Sequence, residues 1–244
     1  MKSPIRDGPA IFKKSKQTMK KIMFNDKYGL TQAVLEGRKT MTRRMVGKLE
    51  AESLSKFDKE PQIVFDEKHG DFMAFRDDDD IEPTILVPTY NVGEVVAVAQ
   101  SYESMANGGY LDRMTMLADN AVGFELKLEY CGGGYKNKMF VASDLMPHHI
   151  RITDIKVERL QDISEEDCIK EGVMIDRATG WYYIPNLYVH RKTKYTVGPT
   201  LFEHPNRAYL ALCKKLGMVI NETANPYVIA YTFKLFKKHR NESR

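Results

Sequence analysis

The most constraining feature of the chain is a pair of short apolar runs that can only be interior strands. Val95-Val96-Ala97-Val98-Ala99 has no alternation, so it reads as a strand buried on both faces. Tyr227-Val228-Ile229-Ala230-Tyr231-Thr232-Phe233, after Asn225-Pro226, is rich in β-branched and aromatic residues and reads as a second one. Between them, Ile150 and Ile152 alternate, and then Ile155 and Val157 alternate one register out of step. That phase change predicts one long strand with a bulge near Thr153-Asp154.

Helical signals are fewer and shorter. Leu30, Ala33 and Val34 share a face, and Gly37 is a natural stop. Ser164 predicts an N-cap for a helix from about Glu165 to Glu171, with Asp167 as a capping-box partner and Ile163 and Cys168 as a hydrophobic staple. Gly172 closes it. Pro205 suits the first turn of a third helix, whose stripe is Tyr209, Leu212 and Leu216 and whose last turn carries Lys214 and Lys215. With several strands and three short helices, and no regular alternation of strand and helix, the expected class is α+β: a mixed β-barrel with short flanking helices, not a doubly wound sheet. The expected organisation is an extension over residues 1–18, a first strand at Lys21-Ile22-Met23-Phe24, and one domain over 19–244. Irregular insertions are expected near 48–90, 104–138 and 174–200.

Composition narrows the function classes. The chain has 244 residues, 43% hydrophobic and 29% charged, with a formal net charge of +4. That is ordinary for a soluble protein and too mildly basic for a nonspecific DNA binder. No apolar run approaches the roughly 20 residues that span a bilayer. The three cysteines, Cys131, Cys168 and Cys213, are far apart, which argues against a disulfide framework or zinc ribbon and for a cytoplasmic protein. No metal and no cofactor is expected. The run Asp77-Asp78-Asp79-Asp80 reads as a solvated loop, since cation ligands need spacing that lets them converge. Basic residues gather at the ends, at Lys13, Lys14, Lys16, Lys20 and Lys21 and at Lys234, Lys237, Lys238 and Arg240. They are solvated tails or a phosphate-attracting rim.

Two segments carry residues suited to chemistry. Arg38-Lys39-Thr40-Met41-Thr42-Arg43-Arg44 crowds Lys39, Arg43 and Arg44 into six residues. Either the segment is a basic exposed loop, or its cations converge, in which case like charges disfavour protonation of Lys39 and a lysine so tuned serves as a base beside a hydroxyl such as Thr42. Spacing of three brings Lys39 and Thr42 together in a turn and puts them on opposite faces of a strand. Glu171 falls in the last helical turn, where it is either an exposed glutamate indifferent to its site or a carboxylate that the dipole disfavours by about 0.3–1 kcal/mol, which suits a general acid. Farther on, Trp181, Tyr182, Tyr183, Tyr188 and Tyr195 lie among Arg177, His190, Arg191, Lys192 and Lys194. That loop either stacks bases and meets phosphates or packs its rings on the barrel.

On these residues the chain resembles the ASCH domains, relatives of the PUA fold. Gly37 to Arg44 is similar to their GxKxxTxR signature. The turn Val92-Gly93-Glu94, the segment Leu160-Gln161-Asp162-Ile163 with its helix to Glu171, and the closing strand Tyr227 to Phe236 also resemble the family. The match covers about half of the chain, and the layout is similar to larger ASCH-like proteins of phage and prophage regions. The resemblance implies a PUA-like barrel with a cationic cleft that binds RNA, a nucleoside or a nucleotide. It also implies an alternative, an amidohydrolase of N4-acetylcytidine type, with Lys39, Thr42 and Glu171 as the catalytic set and Arg44 as the motif arginine. Arg38, Thr40, Arg43, Arg44, Trp181 and Tyr183 are the expected binding residues. A ribonuclease is a third reading, for which paired histidines are lacking.

Overall fold

A computed structural model of the chain describes residues 19–57, 59–75, 82–108, 132–189, 198–221 and 224–236. In chain order its strands are β1 (Lys21–Ile22), β2 (Met41–Met45), β3 (Gln62–Asp66), β4 (Asp71–Phe75), β5 (Thr84–Leu86), β6 (Val95–Val98), β7 (His149–Arg159), β8 (Met174–Ile175), β9 (Tyr182–Tyr183) and β10 (Tyr227–Phe236). The helices are α1 (Leu30–Leu35), α2 (Lys48–Leu54), α3 (Tyr102–Asn107), α4 (Glu165–Lys170) and α5 (Pro205–Lys215). The class is α+β.

The two interior runs sit where their composition requires. Five strands form the main sheet in the order β1-β6-β7-β10-β2. Val96, Ala97 and Val98 of β6 are fully buried, and β10 buries Tyr227 through Tyr231 and Phe233. The pairing of β7 with β10 runs from Tyr227↔Arg159 to Phe236↔His149 and shifts register between Thr232 and Phe233. Thr232 faces Asp154 and Phe233 faces Ile152, so Thr153 is the extra residue. This is the bulge that the change of phase predicts, and it keeps Ile150, Ile152 and Ile155 buried on either side of the break. All ladders of this sheet are antiparallel except the short pairing of β1 with β6.

β1 and β2 are the two edges of the sheet. No ladder joins them among the described residues, so the sheet is not a closed barrel. One side chain bridges the gap: Arg44 of β2 donates from a terminal guanidinium nitrogen to the carbonyl of Met23, just past β1, at 2.6 Å. The main core draws on residues from Ile22 to Phe233, with a smaller cluster around Met105, Val141 and Met146.

Three expectations are corrected. Residues 48–90 are not irregular: they hold α2 and an antiparallel sheet in the order β3-β4-β5. Only Phe72, Ala74 and Leu86 of that sheet are deeply buried, so the hydrophobic signal is too sparse to read by period. Within 174–200, β8 and β9 form a hairpin, and Tyr182 pairs in turn with Phe202. The first strand stops at Ile22, because the carbonyl of Phe24 accepts from the Thr31 hydroxyl and the Lys138 ammonium and not from a strand. No helix among the described residues is long and apolar enough to cross a membrane. The basic stretches at 13–16 and 237–240, the run Asp77–Asp80, Cys131, and His190, Arg191, Lys192, Lys194 and Tyr195 lie outside the described residues.

Candidate functional site

The segment before β2 is fixed by two helix ends. α1 stops at Leu35, and Gly37 takes φ 75°, which turns the chain back. The Lys39 amide then donates to Ala33, and the Thr40 amide donates to the Lys170 carbonyl at the end of α4. Lys39 is thereby held between α1 and α4. Ser164 caps α4, its hydroxyl accepting from the Asp167 amide at 3.1 Å. The reciprocal half of the capping box is not made, because the Asp167 carboxylate turns toward Arg43, Lys156 and Lys170. Glu171 is the C-cap residue, and Gly172 follows at φ 102°.

These ends bring the catalytic candidates together. The Lys39 ammonium donates to Glu171 Oε2 at 2.5 Å and to the Glu171 carbonyl at 2.8 Å. Their side chains are only 1% and 4% exposed. Arg43 donates to the other oxygen, Glu171 Oε1, at 3.1 Å, to Asp167 at 2.9 Å and to Glu158 at 2.6 Å. Lys156 joins Asp167 and Glu158, each at 2.9 Å. The result is an alternation of cations and carboxylates, buried at Lys39, Arg43 and Glu171 and reaching solvent at Lys156, in which every charge has a partner, the condition under which such groups are tolerated in a core.

Burial governs the protonation of these groups. It pushes the Lys39 amine down, the opposing charge of Glu171 offsets only part of this, and Arg44 pushes it further down. Burial also disfavours the charged Arg43, but Glu171 and Glu158 outweigh it and the guanidinium stays charged. Tyr209 and Cys213, which hydrogen-bond each other beside Glu171, are both pushed up by burial, the thiol to about 12.

Lys39, Arg43 and Glu171 of this network form the floor of a cleft of about 450 Å³. Lys39, Thr42, Arg43, Arg44 and Glu171 all line it, with Phe24 and Tyr209 as aromatic walls. Lys39 Nζ lies 5.7 Å and the Arg44 guanidinium 5.9 Å from the centre of the Phe24 ring. Residues 41–45 are extended, so Lys39 and Thr42 do not meet through a turn. Lys39 precedes β2 and Thr42 lies on it, and both line the cleft.

Other expected binding residues lie elsewhere. Arg38 is exposed and pairs with Glu36 at 2.6 Å. Thr40 serves through its backbone, accepting from the Phe233 amide at 2.8 Å. Trp181 is exposed beside the β8–β9 hairpin, and Tyr183 pairs there with Met174. None of the four lines the cleft. Arg43 reaches the cleft wall with its guanidinium already bonded to three carboxylates, which makes it a positioning group for Glu171. Sequence reasoning missed Glu158, Asp167, Phe24 and Tyr209 as members of the site. Asp167 gave a signal for a cap, Tyr209 for a helical stripe and Phe24 for a strand, and none of these pointed to the site. No cluster of metal-ligating side chains occurs among the described residues.

Neither a protein-family model, nor a curated protein, nor a solved structure matches this chain.

Proposed function

We propose that the protein is an amide hydrolase acting on a small acylated, nucleoside-like substrate, with Lys39, Thr42 and Glu171 as its catalytic residues. The observation that carries this reading is the 2.5 Å bond between Lys39 Nζ and Glu171 Oε2, buried on the floor of a cleft that Thr42 also lines. Base, acid and nucleophile then share one small volume, and a proton has a direct path between the first two.

The reaction runs in two halves. Thr42 Oγ attacks the amide carbonyl carbon, and its proton passes to the Lys39 amine, which burial keeps in the free-base form more often than an ordinary lysine. The proton crosses to Glu171, which delivers it to the leaving nitrogen as the C–N bond breaks. Water then attacks the Thr42 ester, giving a proton to Glu171; that proton crosses back to Lys39, which returns it to Thr42 Oγ as the acid leaves. Arg44 stands in the cleft to stabilise the oxyanion. In the same reading the five-stranded sheet, clasped across its edges by Arg44, is an open form of the PUA-like barrel that the GxKxxTxR resemblance implies.

The test is hydrolysis of N4-acetylcytidine, followed by chromatography of released cytidine. Wild-type turnover falling about 10²–10⁴-fold in Lys39→Ala and Glu171→Gln, with folds intact by circular dichroism, is expected. Turnover equal in wild type and both variants overturns the reading.

A further inference from the structure

The mouth of the cleft differs from its floor. Met23 and Met45 are 39% and 41% exposed, and Leu216 is 42% exposed. With the partly buried Met218 they line the same cleft as Lys39 and Glu171. Exposed large apolar groups are common singly, but here four apolar side chains, three of them exposed, line one cleft beside a buried polar floor. These four side chains carry no hydrogen-bond donor, and their only heteroatoms are weakly accepting thioethers.

The charges below point the same way. Lys39 and Arg43 are bonded to carboxylates, and Arg44 is bonded to the Met23 carbonyl and set against Phe24. Of the three cations in the cleft only Arg44 has no carboxylate partner among the described residues, so the cleft offers a phosphate one cation and no cluster of them.

A carbonyl that reaches Lys39 and Glu171 has two substituents, the amine leaving group and the acyl chain. A nucleoside's ring and sugar need hydrogen-bonding partners, which the floor and the Asn25–Arg44 side offer and the mouth does not. We infer that the apolar mouth formed by Met23, Met45, Leu216 and Met218 is an acyl-chain subsite, so that the preferred substrate carries an aliphatic acyl group longer than acetyl and no phosphate. This rests on the amide-hydrolase reading for the position of the carbonyl. Methionine suits the task, because its unbranched chain repacks around ligands of different length.

The experiment uses the full chain and N4-acylcytidines with acetyl, butanoyl and hexanoyl groups. Turnover is followed for wild type, and calorimetric affinity is measured for wild type and Lys39→Ala. Affinity rising by about twofold to fourfold per methylene is expected, the upper figure being that for a methylene fully removed from water. Met45→Ser and Leu216→Ser should each flatten that dependence. Cytidine 5′-monophosphate should compete no better than cytidine. Turnover with affinities and rates flat across the series overturns the acyl subsite and leaves the hydrolase reading standing. Chain-length-dependent affinity without turnover of any member retains the subsite and overturns the hydrolase reading. Tighter binding of the monophosphate than of hexanoylcytidine overturns the subsite in favour of a phosphate site.

Discussion

Lys39 donates to both the carboxylate and the backbone carbonyl of Glu171, a residue 132 positions away, at 2.5 and 2.8 Å. Such a lysine is oriented for proton exchange, and burial places its pKa below the ordinary value of about 10.4. As a base it works only when deprotonated, so kcat/KM for N4-acylcytidine should rise with pH and level off below that ordinary value. Lys39→Arg should abolish the ascending limb, since a guanidinium does not deprotonate in proteins. An unchanged profile in that variant would exclude Lys39 as the base.

Arg43 supports three carboxylates, and its side chain is fully buried. Arg43→Met leaves Glu171 and Asp167 with fewer partners in a dry environment. The expected cost is about 3–5 kcal/mol, read as a lower urea midpoint, because breaking a buried pair strands the remaining charge. Arg43→Lys, which keeps the charge but not the forked geometry, should recover part of it.

Gly172 takes φ 102°, and a β-carbon there would stand 3.4 Å from Leu30 Cδ2 and 3.7 Å from Lys39 Cβ. Gly172→Ala should cost about 1–3 kcal/mol through backbone strain alone. It should also lower turnover more than its stability loss explains, because the strain falls against the side chain that carries the base. Chemical denaturation and kinetics on the same preparation separate the two effects.

Burial pushes the Asp167 carboxyl up, but Lys156, Lys170 and Arg43 outweigh it and its pKa is lowered. A carboxyl depressed on folding contributes stability that is present above its unfolded value of about 3.9 and is lost as pH falls through the folded value. The urea midpoint should therefore drop below about pH 4. The drop should be smaller in Asp167→Asn, measured against that variant's own neutral-pH midpoint.

Cys168 and Cys213 are buried, and burial lifts both thiols to about 12. At pH 8 only about one in 10⁴ is thiolate, the reactive form. Alkylation with iodoacetamide should leave both unmodified in the folded protein and modify both in urea, as peptide mass spectrometry would record.

The legible parts of this fold are those in which local sequence dictates local structure. The Thr153 bulge, the Ser164 cap and the Pro205 helix start each rest on residues a few positions apart. The β3-β4-β5 sheet escaped because β3 is largely exposed and leaves almost no apolar alternation. Within the site, Lys39, Thr42 and Glu171 stood out through the resemblance to ASCH domains and not by residue type alone. The partners of Arg43 did not, since Asp167 and Glu158 lie 124 and 115 residues away, and only the folded chain pairs them.

The bond from Arg44 to the Met23 carbonyl sets a handicap on whatever enters the cleft. An incoming acceptor that takes the N–H now given to Met23, and not one of the guanidinium's other four, exchanges one hydrogen bond for another and also unfastens the sheet edge behind it. Its net affinity is a difference, measured against an occupant that the chain itself supplies. Ligands that leave Arg44 in place avoid that competition, whereas those that need it must recover the loss elsewhere along the cleft.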